Sequence, residues 1–252
     1  MVFNVGDRVT GWGEIRSDDD GVWFDPPHAI PLIRLPPGQR LRRSANAIRL
    51  FDYGPGASTA RTGSVDGSQW ATVTGIWVGD AIQVLSQRPL APTDRYGEPS
   101  FPDWTVPPCS APDEGWPSGT QQDLMELDLV DLRASENCVT TVTYRPREDS
   151  VVLVVAVTDV AAAEAQWRPI VGPRLCVVRS RWSKHELDEV TDVLLAGWQR
   201  WAISMISRPV DDQAQSSVDT EVLRVLPDLA RWAAELPDGI LEVRATLIPA
   251  SV

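Results

Sequence analysis

The sequence is poor in the residues that most often carry out catalysis or bind transition metals. It has only two histidines, His28 and His185, and three cysteines at long spacings. Histidine is the usual general base near neutral pH, and zinc sites need clustered cysteine and histidine. His28 lies in a proline-rich stretch, and His185 follows a serine typical of a helix cap. We assign both histidines structural or surface positions, and we expect no catalytic residues, no metal and no cofactor.

Motifs that would indicate an active site are incomplete. The chain has no Gly-x-Ser-x-Gly nucleophile motif, although a Ser-His-Asp arrangement assembled in space stays an open alternative. Residues 54–58 are glycine-rich but lie among predicted strands and contain no lysine, so we interpret them as a loop and not as a phosphate-binding site. The Asp18-Asp19-Asp20-Gly21 run lacks the ligand spacing of a calcium loop and is typical of a hairpin turn.

Long apolar runs are absent as well. No stretch reaches the roughly 18 apolar residues needed to cross a bilayer. Residues 1–8 lack the basic head and apolar run of a signal peptide. Cys109, Cys138 and Cys176 are an odd set at long spacings, and we interpret them as reduced thiols. We therefore predict a cytoplasmic protein that does not enter a membrane.

Negative charge is concentrated in the second part of the chain. The formal net charge is -12, and the first ninety residues carry as many basic as acidic groups. An acidic surface repels phosphate backbones and anionic membranes, which counts against a nucleic-acid partner. Any such role would fall to the neutral first part, where Arg40, Arg42 and Arg43 form the basic cluster.

Residues 1–88 have the pattern of a small all-β barrel. Short runs of alternating or apolar residues are separated by Gly, Asp and Pro turns, at 9–15, 22–24, 47–51, 70–77 and 81–85. Two hairpins with a strand between them resemble the strand order of an OB-fold. Residues 89–137 form a proline-rich connector, and its aromatic residues, Phe101, Trp104 and Trp116, predict that it lies against one domain. A helix capped by Thr120 is predicted for 120–135.

Residues 138–252 predict an α+β domain. The run 151–157 is continuously apolar, as in a strand buried on both faces, and Asp159 can cap the following helix. From 174 onward the order is strand, helix, strand, strand, helix, strand, which is the ferredoxin-like order. Ser183 and Glu186 form a capping box for one helix, and Pro227 opens the other. We expect one mixed sheet with helices on a single face, and an α+β fold for the whole chain.

Part of this domain resembles the pro-region of secreted bacterial chymotrypsin-like proteases, the streptogrisin and α-lytic protease group. The similar segments lie within about 140–225 and comprise 154–163, 174–179, 183–187 and 201–205. The chain has no Gly-Asp-Ser-Gly-Gly nucleophile motif, so the resemblance does not imply protease activity. It implies a fold that packs a sheet edge or face against a partner protein.

Tryptophan is abundant, with 11 residues, and each indole needs either a core pocket or a binding surface. The candidate binding residues are Trp12, Trp23, Arg42, Arg43, Arg49 and Trp77 in the barrel, and Trp182 and Trp201 in the second domain. In the barrel, core packing is the competing interpretation of the aromatic residues.

These features together favour a non-enzymatic binding or adaptor protein with a protein partner. Two alternatives stay open. One is binding of single-stranded nucleic acid by the barrel, and the other is a small-molecule or enzymatic site at the junction of the domains. A homodimer through a sheet edge or an exposed sheet face is also compatible with the sequence.

Overall fold

The computed structural model describes residues 2–27, 44–52, 69–91, 102–127 and 129–250. It has a mixed α+β fold, as predicted, with one six-stranded sheet and two three-stranded sheets. The strands of the first sheet are β1 (Arg8–Asp18), β2 (Gly21–Asp25), β3 (Ile48–Phe51), β4 (Gln69–Trp77), β5 (Ala81–Pro89) and β12 (Leu247–Pro249).

The first five strands close into a barrel. β1 pairs with both β2 and β4, β2 pairs with β3, β3 runs parallel to β5, and β5 pairs with β4. Alternate residues of β1 and β4 point inward, where Val9, Ile15 and Val73 are buried. The last strand, β12, returns to pair with β1, and its Leu247 is buried in the barrel core. β12 therefore belongs to the barrel, although the other elements of the second part of the chain lie between it and β5 in the sequence.

Inward-facing glycines make this barrel narrow enough to close. A Cβ on Gly75 would lie 2.2 Å from the carbonyl oxygen of Gln83, and one on Gly13 would lie 2.6 Å from that of Asp25. Because these neighbours are backbone atoms, no side-chain movement can make room. The glycines therefore allow close approach of adjacent strands where the sheet curves.

The remaining elements lie after the connector. The helices are α1 (Gln121–Met125), α2 (Val130–Ala134), α3 (Val160–Val171), α4 (Lys184–Ala196) and α5 (Pro227–Glu235). The strands are β6 (Cys138–Arg147), β7 (Ser150–Val157), β8 (Leu175–Arg179), β9 (Ile203–Ser207), β10 (Val218–Val222) and β11 (Leu241–Ala245). The predicted caps are confirmed, because Thr120, Asp159 and Ser183 each accept a hydrogen bond from a backbone N–H in the first turn of their helix.

The ferredoxin-like arrangement in one sheet is wrong for the described residues. β8 pairs in parallel with β7, in the order β6-β7-β8, whereas β9, β10 and β11 form a separate sheet in the order β11-β10-β9. The two sheets have the same construction, since each contains an antiparallel pair followed by a helix and a parallel strand. The chain therefore repeats one β-β-α-β unit, and β8 completes the first unit instead of joining the second.

β7 is buried on both faces, as its apolar run predicts. On one face, Leu153, Val155 and Val157 pack against the helical layer that includes Trp167 of α3. On the other face, Val152 and Val154 pack with Tyr144, and the connector residues Cys109 and Trp116 cover them.

The predicted helix at 120–135 is instead two short helices, α1 and α2.

Candidate binding groove

The barrel residues Trp12, Trp23 and Arg49 share its outer face. Trp12 lies beside Trp70 of β4, with 5.8 Å between ring centroids, and the Arg49 guanidinium lies 5.1 Å from the centre of the Phe51 ring. Trp23 and Arg49 are opposite each other in the β2–β3 register. The structure thus brings two of the predicted binding residues, Trp23 and Arg49, together beside Phe51, whereas Trp12 has Trp70 of β4 as its aromatic neighbour.

Acidic groups balance the positive charge on this outer face. Arg16 Nε donates to Glu14 at 3.1 Å and lies 3.4 Å from a carboxylate oxygen of the buried Asp25. Trp23 Nε1 donates to Asp18 at 3.0 Å, so the acidic turn is held against the aromatic face. Arg42 and Arg43, together with His28, lie outside the described residues.

Trp77 belongs to the barrel core and not to its surface. It is 3% exposed and packs edge-on against Phe3, with 5.7 Å between ring centroids. The guanidinium of Arg224, from the segment after β10, lies 4.9 Å from the centre of the Trp77 ring. Burial lowers the pKa of Arg224 from its usual value. Trp77 therefore joins the barrel to the second part of the chain.

The two tryptophans predicted in the second domain have different environments. Trp201 is 6% exposed, stacks on Trp232 with 5.5 Å between centroids, and donates through Nε1 to Asp228 at 3.0 Å. It serves the core beneath α4 and α5. Trp182 is half-buried and lines a small surface cavity. His185 is exposed, with its Nε2 at 3.3 Å from Glu189 on the same helix.

The cysteine prediction is wrong for two of the three residues. Cys109 and Cys176 form a disulfide with 6.0 Å between their Cα atoms, and Cys138 is a buried free thiol. Disulfides are typical of oxidising compartments, so the predicted cytoplasmic location loses its argument from reduced thiols. The spacing of 67 residues gave no local signal for this pairing.

The connector lies against the β6-β7-β8 sheet, as its aromatic residues predict. Arg145 N donates to Trp104 O at 2.7 Å, and Arg147 Nη2 donates to Trp116 O at 2.6 Å. Ser150 Oγ donates to Pro117 O at 3.0 Å. These bonds hold both ends of the stretch 104–117 on the sheet. The disulfide fixes its middle to β8.

A groove of about 680 Å³ opens between this stretch and the α3–β8 unit. One wall is the connector, the other is the end of α3, and the floor is β8. The residues that define it are Cys109, Pro112, Trp116, Arg168, Pro173 and Val177. Proline and aromatic side chains on the walls make it suited to an uncharged, extended ligand.

The floor of the groove is an edge strand. Among the described residues, β8 has a sheet neighbour, β7, on one side alone. Ser180, directly after β8, donates its N–H to Val157 O at 2.7 Å. Counting back from Ser180, every second residue of β8 points its backbone N–H and C=O toward β7, and Val177 is not one of them. In a parallel ladder the next residue along points its N–H and C=O the opposite way. Val177 therefore presents both backbone groups to the free edge.

The charged side chains in the groove are already paired. Arg168 makes two bonds to Glu164, at 2.9 and 2.7 Å. Its Nη1 also donates to the carbonyls of Gly172 and Leu175, at 3.1 and 2.7 Å. Gln215 Nε2 donates to Arg179 O at 3.2 Å at the other end of β8. The side chains of Arg168 and Gln215 thus limit the accessible edge to the middle of the strand.

No model of a known protein family matches the chain, and a comparison with curated proteins finds no significant match. Within the described ranges, no group of three or more histidine, cysteine, aspartate or glutamate side chains is arranged to hold a metal ion. In that same part of the chain, no helix is both long and apolar enough to span a membrane.

Proposed function

We propose that the protein is a binding protein that accepts a short extended segment of a partner protein along β8. The observation that carries this proposal is the groove beside the free edge of that strand, with Val177 at its floor. Addition of a strand to an exposed sheet edge is a common mode of peptide recognition. In it, backbone hydrogen bonds supply affinity and adjacent pockets supply specificity.

The groove defines what the partner segment is like. Leu175 O already accepts a bond from Arg168, and Arg179 O accepts one from Gln215. The segment therefore makes its paired backbone bonds with Val177 and extends no further than this short stretch. Trp116 and Pro112 contact apolar side chains of the segment, because the nearby Arg168–Glu164 pair leaves no net charge to attract an ion.

The resemblance to protease pro-regions supports binding of a partner protein to the sheet. It implies a fold that presents a sheet edge or face to a partner protein, and β8 lies within the similar segments. The chain's own partner is then a protein and not a substrate. We propose no enzymatic activity for the groove.

Replacement of Val177 by proline is expected to weaken peptide binding strongly. Proline removes the N–H of Val177, which points to the free edge, and proline is tolerated on edge strands because such an N–H is not part of the ladder. Peptides selected by phage display on the full chain would be measured by fluorescence anisotropy. We expect at least about tenfold weaker binding to Val177→Pro, which corresponds to the loss of one hydrogen bond between uncharged groups.

Val177→Ala is the matched control, since it shortens the side chain and keeps both backbone groups. Circular dichroism verifies that each variant is folded. A second test leaves the protein unchanged and methylates the backbone nitrogens of the selected peptide one at a time. Methylation of at least one of these nitrogens should weaken binding. Equal binding to the proline and alanine variants, or full tolerance of every methylation, would rule out strand addition at β8.

For the barrel, we propose an OB-type fold on the strand order β1-β2-β3-β5-β4 closed by β1. Trp23 and Arg49 lie on the outer face of β2 and β3, where OB-folds bind single strands, and Trp12 lies on β1 beside β4. The carboxylates of Glu14, Asp18 and Asp25 on the same face oppose a phosphate backbone.

We expect no measurable binding of oligothymidine at low salt, where electrostatic attraction to nucleic acid is strongest. Fluorescence anisotropy with a labelled strand tests this at about 20 mM salt and again near 200 mM. Binding that weakens steeply between the two conditions, and is lost in Arg49→Ala, would restore the nucleic-acid role.

A further inference from the structure

A second cavity, of about 240 Å³, lies where the two three-stranded sheets meet. It is lined by the turn after β8, the loop before β10 and the start of β11. Its polar lining consists mainly of Arg181, Asp211, Gln215, Asp219 and Glu242, with the indole of Trp182 beside them. The volume is below the range of drug-sized ligands, and it corresponds to roughly eight water molecules.

Hydrogen bonds hold the loops around this cavity in fixed positions. Gln215 Oε1 accepts from Arg181 N at 2.8 Å, and its Nε2 donates to Arg179 O at 3.2 Å. Asp211 Oδ1 accepts from the backbone N of Gln213 and of Gln215, at 2.9 and 2.8 Å. These bonds join the loop before β10 to the end of β8, so the lining is organised before any ligand arrives.

Two of the carboxylates in the cavity already have partners. Asp211 is used by the loop, and Asp219, which is 5% exposed, forms an ion pair with Arg244. Burial raises the pKa of Asp219, while the Arg244 cation opposes that rise. Arg244 therefore pairs mainly with Asp219. Its Nε lies 3.9 Å from a carboxylate oxygen of Glu242.

Two further charged side chains line the cavity, Arg181 and Glu242, and Glu242 has its ion pair with Arg244 only at 3.9 Å. Within the part of the chain that the structure describes, the Arg181 guanidinium makes no ion pair, although it lines the same cavity as Glu242. Arg181 Nη1 lies near Gly239, where an added Cβ would be 3.2 Å away, and Gly239 has a φ of +86°. The turn thus brings backbone, and no side chain, beside the guanidinium.

We propose that this cavity binds a small zwitterion of the α-amino acid class. Its carboxylate is bound by Arg181, and its ammonium group by Glu242. Arginine recognises carboxylates through two parallel hydrogen bonds, and the opposite charge on the other wall selects against simple anions. The faces of Trp182, Pro209 and Val210 accept an apolar side chain.

Isothermal titration calorimetry of the full chain with L-leucine and L-phenylalanine tests this site. We expect binding of at least one of the two. Two further probes each lack one of the two charged groups of leucine: 4-methylpentanoate lacks the ammonium group, and 3-methylbutylamine lacks the carboxylate. Each should bind at least about tenfold more weakly than leucine, because each leaves one charged wall of the cavity without its partner.

The variants Arg181→Gln and Glu242→Gln should each weaken binding of the amino acid by about tenfold or more. Arg231→Gln and Glu235→Gln on α5 are matched controls, since they remove the same charges from exposed positions outside the cavity. Absence of binding by both amino acids would overturn the proposal. Equal affinity for leucine and for the two analogues that lack one charged group would also overturn it, as would unchanged affinity in Arg181→Gln.

Discussion

Removal of the Cys109–Cys176 disulfide is expected to lower the free energy of unfolding by about 4 kcal/mol. The bond joins residues 67 positions apart, and the entropy that a crosslink removes from the unfolded chain grows with the length of the loop it closes. Since domains are commonly stable by only about 5–15 kcal/mol, this is a large fraction of the total. The expected fall in Tm is roughly 8–16 °C for a chain of this size.

The double variant Cys109→Ala/Cys176→Ala isolates this effect. Alanine avoids placing an unpaired polar group at position 176, which is 1% exposed. Urea unfolding of wild type and variant gives the difference, and Cys138→Ala is the control, because it removes a buried thiol that forms no disulfide. A change no larger than that of the control would show that the bond contributes little to stability.

The loss should also be visible locally. Between the hydrogen bonds at Trp104 and Trp116, the disulfide at Cys109 is the covalent tie of the connector to the sheet. Hydrogen exchange in 105–115 is therefore expected to rise most in the double variant. Since this stretch forms one wall of the groove, peptide binding along β8 should weaken in parallel.

Short-range signals predicted much of the local structure. The helix starts at Thr120, Asp159 and Ser183 could be recognised because a capping side chain satisfies backbone N–H groups within three residues of itself. The apolar run of β7 indicated a strand buried on both faces for a similar reason: every side chain along it meets an apolar layer. The hairpin of β1 and β2 followed from its acidic turn.

Strand pairing over long distances was harder to predict. One order of elements, namely strand, helix, strand, strand, helix, strand, is compatible with two topologies. It fits a single ferredoxin-like sheet and it fits two β-β-α-β units. What decides between them is the partner of β8, and β7 lies beside it through a parallel register that no local pattern encodes. β6 was also missed, and its polar residues at Thr140, Thr141 and Thr143 weaken its apolar pattern.

The candidate sites depend on the same long-range contacts. The cavity between the two three-stranded sheets combines Arg181, Gln215 and Glu242 from separate segments, and none of the three lies in a recognisable motif. Of the predicted binding residues, Trp182 does line that cavity, whereas Trp77 and Trp201 are buried. Tryptophan content alone could not separate these cases, because an indole ring suits a core pocket as well as a binding surface.

Replacement of Trp167 by alanine is expected to cost about 3–5 kcal/mol, the second large effect. Trp167 is 1% exposed and fills the space between α3 and β7, packed among leucine and valine side chains. Truncation leaves a cavity the size of an indole beside β7, which is buried on both faces. Because core side chains are closely packed, they relax only partially into such a cavity.

Trp167→Phe should be far milder, and the pair of variants makes the test specific. Within the described residues, the buried Nε1 of Trp167 has no hydrogen-bond partner. Phenylalanine removes this unsatisfied donor and keeps most of the apolar contact, so the two changes offset each other. We expect the phenylalanine variant to lose less than about 2 kcal/mol in urea unfolding. A loss as large as that of alanine would show that the indole N–H is bonded in solution, and that its burial has a polar as well as an apolar role.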